Sequence, residues 1–176
     1  MTLNLTRTRI LFRNSLVILL TLFLVSACKQ ETPEEKAMRM APTLTEQNVR
    51  KFVSIAGKDY NNILGQLEKA YGKFKAENDS LGFIGYRNTQ WTWEYLDLKR
   101  HYAAVLEKNR KFVASHSLQP VFDEYEGILN IGLDLKHALS EGNKRRERRA
   151  FESIKRGKIV MAKTLLKLSQ AKAGKA

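Results

Sequence analysis

From residue 43 onward, apolar side chains return every three or four positions, the period of an amphipathic helix. Val49, Phe52, Val53, Ala56, Tyr60, Ile63, Leu64, Leu67, Tyr71 and Phe74 predict a first helix of about seven turns with one apolar face. Thr43 and Glu46 are spaced as a capping box, with Thr45 as a competing cap. Gly57, Gly65 and Gly72 each weaken that helix by up to ~1 kcal/mol relative to alanine. Gly57-Lys58-Asp59 leaves open a break, with Asp59 recapping a second piece. The second helix starts near Asn88 or Thr89. It carries one stripe of Trp91, Tyr95, Leu98, Tyr102, Val105 and Phe112 beside another of Leu96, Ala103, Leu106 and Val113. Ser117 caps the third helix and Pro120 sits in its first turn. Val121, Tyr125, Ile128, Leu129, Gly132, Leu135 and Leu139 face inward, and Glu141-Gly142-Asn143 ends it. The fourth helix follows, with Phe151, Ile154, Met161, Leu165 and Leu168 as its apolar stripe. No strand alternation occurs. The pattern predicts an all-α fold, an antiparallel four-helix bundle over residues 43–172, with a frayed tail at 173–176.

One connection does not fit the period. Over Glu77–Gln90, the turn residues Asn78-Asp79-Ser80 precede Leu81, Phe83, Ile84 and Tyr86, interspersed with Gly82 and Gly85. So long a connection is uncommon between helices. It reads either as a lid folded onto the bundle or as a loop presenting Phe83, Ile84 and Tyr86 to a partner. Glu94, Asp97 and His101 share a helical face, but that face runs on into Ala104, Lys108 and Lys111. It is therefore read as the wet side, with no metal assigned.

Ahead of the bundle the pattern changes. Arg7, Arg9 and Arg13 precede an apolar run, Leu16–Val25, of ten residues, short of the roughly 20 that span a bilayer. Small residues then lead to Cys28, the one cysteine in the chain. This is the layout of an export leader over residues 1–27. Val25-Ser26-Ala27-Cys28 resembles the lipobox of bacterial lipoproteins. The resemblance implies removal of the leader, acylation of Cys28, and anchoring of the processed chain at a bilayer. Lys29, where that class carries aspartate for retention at the inner membrane, implies the inner leaflet of the outer membrane, facing the periplasm. Residues 28–42 are polar, contain Pro33 and Pro42, and read as a flexible tether.

Charge then singles out one segment. Residues 144–176 hold twelve cations and two acids, while residues 28–143 are neutral overall. Lys144, Arg145, Arg146, Arg148 and Arg149 crowd the start of the fourth helix, where the macrodipole disfavours cations by ~0.3–1 kcal/mol each. Either water and salt screen them, or an anionic partner offsets the repulsion, using arginine forks and free N–H groups. In an up-and-down topology this cluster shares one end of the bundle with residues 81–86, the end away from the anchor.

The chain has no nucleophile motif, phosphate loop or cysteine–histidine cluster, and His101, His116 and His137 fall on different elements. No cofactor is expected. The function expected is a non-enzymatic, lipid-anchored binding or scaffold protein of the bacterial envelope, with an acidic envelope protein or anionic envelope polymer as partner. The alternative is anionic-lipid or lipopolysaccharide binding by the basic C-terminal helix. Export makes nucleic acid a poor candidate.

Overall fold

A computed structural model of the protein describes residues 31–173. The leader 1–27, Cys28, and the tail from residue 174 lie outside the described residues. Two compact units divide the chain at Glu35. In the first, the described stretch is the start of helix α1, Pro33–Met40. Thr32 and Glu35 form a reciprocal capping box: the Glu35 carboxylate accepts from the Thr32 N–H at 2.9 Å, and the Thr32 hydroxyl accepts from the Glu35 N–H at 3.2 Å. Pro33 stands at the first helical position, where a missing N–H leaves nothing unpaired. This corrects the reading of residues 28–42 as tether: Pro33–Met40 is helical.

The second unit is all-α. Its elements are the rest of α1, then α2 (Val49–Ala76), α3 (Ser80–Tyr86), a π-helical turn (Arg87–Trp91), α4 (Thr92–Lys108), α5 (Arg110–Ser115), α6 (Gln119–Glu141) and α7 (Lys144–Ala173). Helix α2 runs unbroken through Gly57. Nine of the ten residues predicted for its inner face are buried, and Phe74 is partly so. Its start differs from the expected capping box. The helix begins five residues later, at Val49, where the Asn48 side chain accepts from the Thr45 N–H at 2.9 Å and donates to the Thr43 carbonyl at 2.9 Å.

Other corrections concern the joints. The irregular connection predicted over residues 77–90 is mostly helical. Asp79 caps α3 by accepting from the Gly82 N–H at 2.8 Å, and the π turn then rotates Trp91 into the core. Trp91 is fully buried, with its indole N–H donating to the Ile63 carbonyl at 2.8 Å, whereas Trp93 is 62% exposed. Ala104, assigned to the wet side, is buried, and Ala103 is exposed instead. The second predicted helix breaks at Asn109, whose buried side chain accepts from the Leu44 N–H at 2.7 Å. Asn109 also donates to the Pro42 and Val105 carbonyls at 2.9 and 2.8 Å. The break thus secures the chain entering α2, and Ala41 and Leu44 are buried there. Ser117 does not cap α6; it takes a left-handed turn conformation (φ 53°), and Leu118 precedes the helix. Gly142 ends α6 in the left-handed conformation (φ 64°) that only glycine adopts cheaply.

The core is aromatic. Tyr102 and Tyr125 stack with ring centroids 3.9 Å apart, and Tyr60 meets Tyr125 edge-on at 5.8 Å. Three core hydroxyls are satisfied: Tyr102 donates to Asp59 at 2.7 Å, Tyr125 to the Ala56 carbonyl at 2.6 Å, and Tyr95 to the Tyr125 carbonyl at 3.1 Å, whereas those of Tyr60 and Tyr71 are buried with no hydrogen-bond partner among the described residues. Burial pushes the Tyr102 and Tyr125 hydroxyls up, so they remain protonated donors. Neighbouring helices pair in opposite chain order. Lys75 and Glu68 of α2 meet Glu147 and Lys158 of α7, and Asp134 and Glu124 of α6 meet Arg149 and Arg156. The result is a helical bundle in which α7 packs along both α2 and α6. Among the described residues, no helix is long and apolar enough to cross a membrane.

Candidate functional site

Helix α7 starts on a side-chain cap: Asn143 Oδ1 accepts from the Arg146 N–H at 3.2 Å. Its first turn carries Glu147 among the cations Lys144, Arg145, Arg146, Arg148 and Arg149. These cations have different surroundings. Arg149 Nε donates to Asp134 Oδ2 at 2.6 Å, and its Nη2 bonds the other carboxylate oxygen, a two-pronged fork. Arg146 Nη1 joins it on Asp134 Oδ1 at 3.1 Å. Asp134 lies buried on α6, and the Arg149 and Arg146 guanidiniums hold its carboxyl below the usual 3.8. Glu147 reaches across to Lys75 of α2, and Arg148 approaches Glu152 at 3.8 Å. Lys144 and Arg145 are exposed.

The cluster therefore divides by direction. Arg146 and Arg149 turn toward α6 and tie α7 to it, while Lys144, Arg145 and Arg148 face solvent. A groove of about 430 Å³ continues from the inward pair, lined by Asn130, Asp134, Arg146, Arg149, Ser153 and Arg156. Arg156 stands 3.6 Å from Glu124 on the groove wall. Beside it the Tyr60 hydroxyl abuts Gly157, and burial, then the Glu124 charge, pushes that hydroxyl up.

The residues predicted as a partner loop sit at the same end of the second unit. Phe83 is fully buried and meets Tyr71 edge-on at 5.5 Å, and Tyr71 in turn meets Phe151 of α7 at 6.0 Å. Phe83 is thus a core residue, closed to a partner; Ile84 and Tyr86 are half-buried. Leu81 is the exposed apolar residue here, at 79%.

The roles of four residues escaped the sequence reading. Asp134 lies one residue before Leu135, within the buried arc of α6, and an acid at such a position calls for a cation. Asn143 stands four residues before Glu147, and Glu147 takes a cation from another helix; neither spacing announces its role. Arg87 is 7% exposed in the π turn, donates to Asn88 at 2.8 Å, and its Nε has no acceptor among the described residues. Burial lowers its pKa. Among the described residues, no three His, Cys, Asp or Glu side chains gather to hold a metal ion.

No protein-family model matches the chain, and no curated protein or solved structure is detectably similar to it.

Proposed function

We propose that the chain is a lipid-anchored envelope protein that binds an acidic partner without catalysing a reaction on it. In this reading Cys28 carries the acyl anchor, and the body faces the periplasm from the outer membrane. Helices α2, α4, α6 and α7 make an antiparallel four-helix bundle, which the opposite order of their pairings supports. The observation that carries the binding reading is the division of the cationic cluster at the head of α7. Asp134 holds two arginines in place, so Lys144, Arg145 and Arg148 project from a rigid end of the molecule. An acidic protein surface or anionic polymer offsets both their mutual repulsion and their unfavourable place at a helix N-terminus.

Exposed ion pairs contribute ~0.2–1 kcal/mol each, so three together account for about tenfold in affinity. Reversing Lys144, Arg145 and Arg148 to glutamate should therefore weaken binding of an acidic polymer such as polyglutamate by about tenfold, and flatten its salt dependence. Titration by fluorescence anisotropy reads both quantities. Equal affinity and equal salt slope for the variant and the parent would defeat the reading. The anchor is tested separately, by intact mass of the processed chain: two or three acyl groups on Cys28 are expected, and a bare thiol refutes it.

A further inference from the structure

The two flanks of α7 carry different cations. On the α6 side Arg146, Arg149 and Arg156 turn to Asp134 and Glu124. On the α2 side exposed apolar residues alternate with lysines. Phe151, Ile159 and Leu166 are 38%, 42% and 58% exposed, and the exposed Ala162 lies between the last two. Positions 151, 155, 159, 162 and 166 recur at helical spacing, so these residues form one ridge about 22 Å long at 1.5 Å per residue. Lys155 stands in the ridge, with Lys158 and Lys163 flanking it.

Beside the ridge on the same seam, a groove of about 970 Å³ is lined by Val49 of α2 and by Leu165 and Leu168 of α7. Arg50, Lys51 and Lys58 rim that groove. Glu46, which lines this groove, is engaged by His116 at 2.6 Å, and Glu68, which lies beside Phe151 and Ile159 farther along the seam, by Lys158 at 3.0 Å. The seam thus offers a straight apolar strip with six cations along it and a clear excess of positive charge.

We infer that the α2–α7 seam docks on an anionic bilayer surface, with Phe151, Ile159 and Leu166 entering the headgroup–acyl boundary and the lysines meeting phosphates. Two features select a bilayer over a folded acidic protein. The strip is straight and about 22 Å long, as suits a flat fluid surface. Its cations are chiefly lysines, whose long stems lie along apolar surface while the ammonium reaches outward, the arrangement of helices lying in a membrane interface. This face is separate from the arginine end, and its test stands whether or not that end binds an acidic partner.

The test places a benzoylphenylalanine photocrosslinker in the full chain at Leu166, at Ile159, or at the control position Leu81. Each protein is incubated with phosphatidylglycerol vesicles or with phosphatidylcholine vesicles. All versions carry the same N-terminus, so an anchor alone brings them to the vesicle equally. Lipid adducts, identified by mass, should form at Leu166 and Ile159 several times more than at Leu81. They should fall about fivefold or more with phosphatidylcholine, and likewise with Lys51→Glu, Lys155→Glu and Lys163→Glu combined, given the contribution of each cation near an anionic surface. Circular dichroism confirms that the variants keep the parent's helicity and melting temperature. Equal adduct yields at Leu166 and Leu81, yields indifferent to lipid charge, or adducts with a second copy of the chain would each overturn the inference.

Discussion

At position 157 the lack of a side chain sets how closely α7 approaches α2. A methyl group there would overlap the Tyr60 hydroxyl and crowd Glu124. Alanine is the better helix former by ~1 kcal/mol, whereas overpacking a rigid ring costs about 1–3 kcal/mol, so packing wins. Gly157→Ala should destabilise the protein. Gly72→Ala, where an added methyl meets nothing within 4 Å, should instead stabilise it by up to ~1 kcal/mol. Urea unfolding of the two variants would show the opposite signs. Asp134 makes a second prediction. Its carboxyl binds a proton less readily folded than unfolded, because Arg149 and Arg146 hold its pKa below 3.8. It therefore stabilises the fold above about pH 4, and that contribution is lost as pH falls through 3.8 toward the lower folded value. Melting temperatures should favour the parent over Asp134→Asn near neutral pH, with the gap closing in acid. Neither site was legible in the sequence, because each depends on which atoms from another helix stand opposite.

At the scale of elements, legibility followed the length of the periodic signal. The inner face of α2 could be read almost residue by residue, because a stripe kept for several turns has no other low-energy arrangement. The joints could not be read. Asn109 interrupts what the apolar stripe presents as one helix, since three hydrogen bonds to Leu44, Pro42 and Val105 outweigh one turn of continued ladder. Asn109→Ala should strand the buried Leu44 N–H and cost about 2–4 kcal/mol. Hydrogen exchange should then be faster at Leu44 than at the α6 and α7 amides, marking a local loss. The stretch over residues 77–90 misled for a related reason. Two glycines and a turn signal suggested a loop, but Asp79 supplies the cap that lets Ser80–Tyr86 coil, and Phe83 anchors it.

For the whole molecule, the sequence showed where positive charge accumulates but not how it is apportioned. One long helix carries both an arginine flank, neutralised by acids of α6, and a lysine flank beside exposed apolar surface. Two kinds of anionic contact can therefore coexist on a single rigid element: discrete charge–charge contacts at its head, and broad adhesion along its α2 side. Salt distinguishes them, because exposed charges lose most of their reach beyond a screening length of ~8 Å at physiological ionic strength, while apolar contact does not. Binding through the head should therefore fade steeply as salt rises, and binding along the seam should decline only in part.

The two tryptophans, two positions apart, sit in opposite surroundings: Trp91 is sealed under α2 with its indole N–H held by Ile63, and Trp93 is open to water. The protein thus contains its own optical gauge. Emission from Trp93 is reached by a soluble quencher such as acrylamide in the native state, and emission from Trp91 becomes reachable only when α2 and the π turn part. A rise in the quenchable fraction during mild denaturation would time the opening of that contact without any added dye.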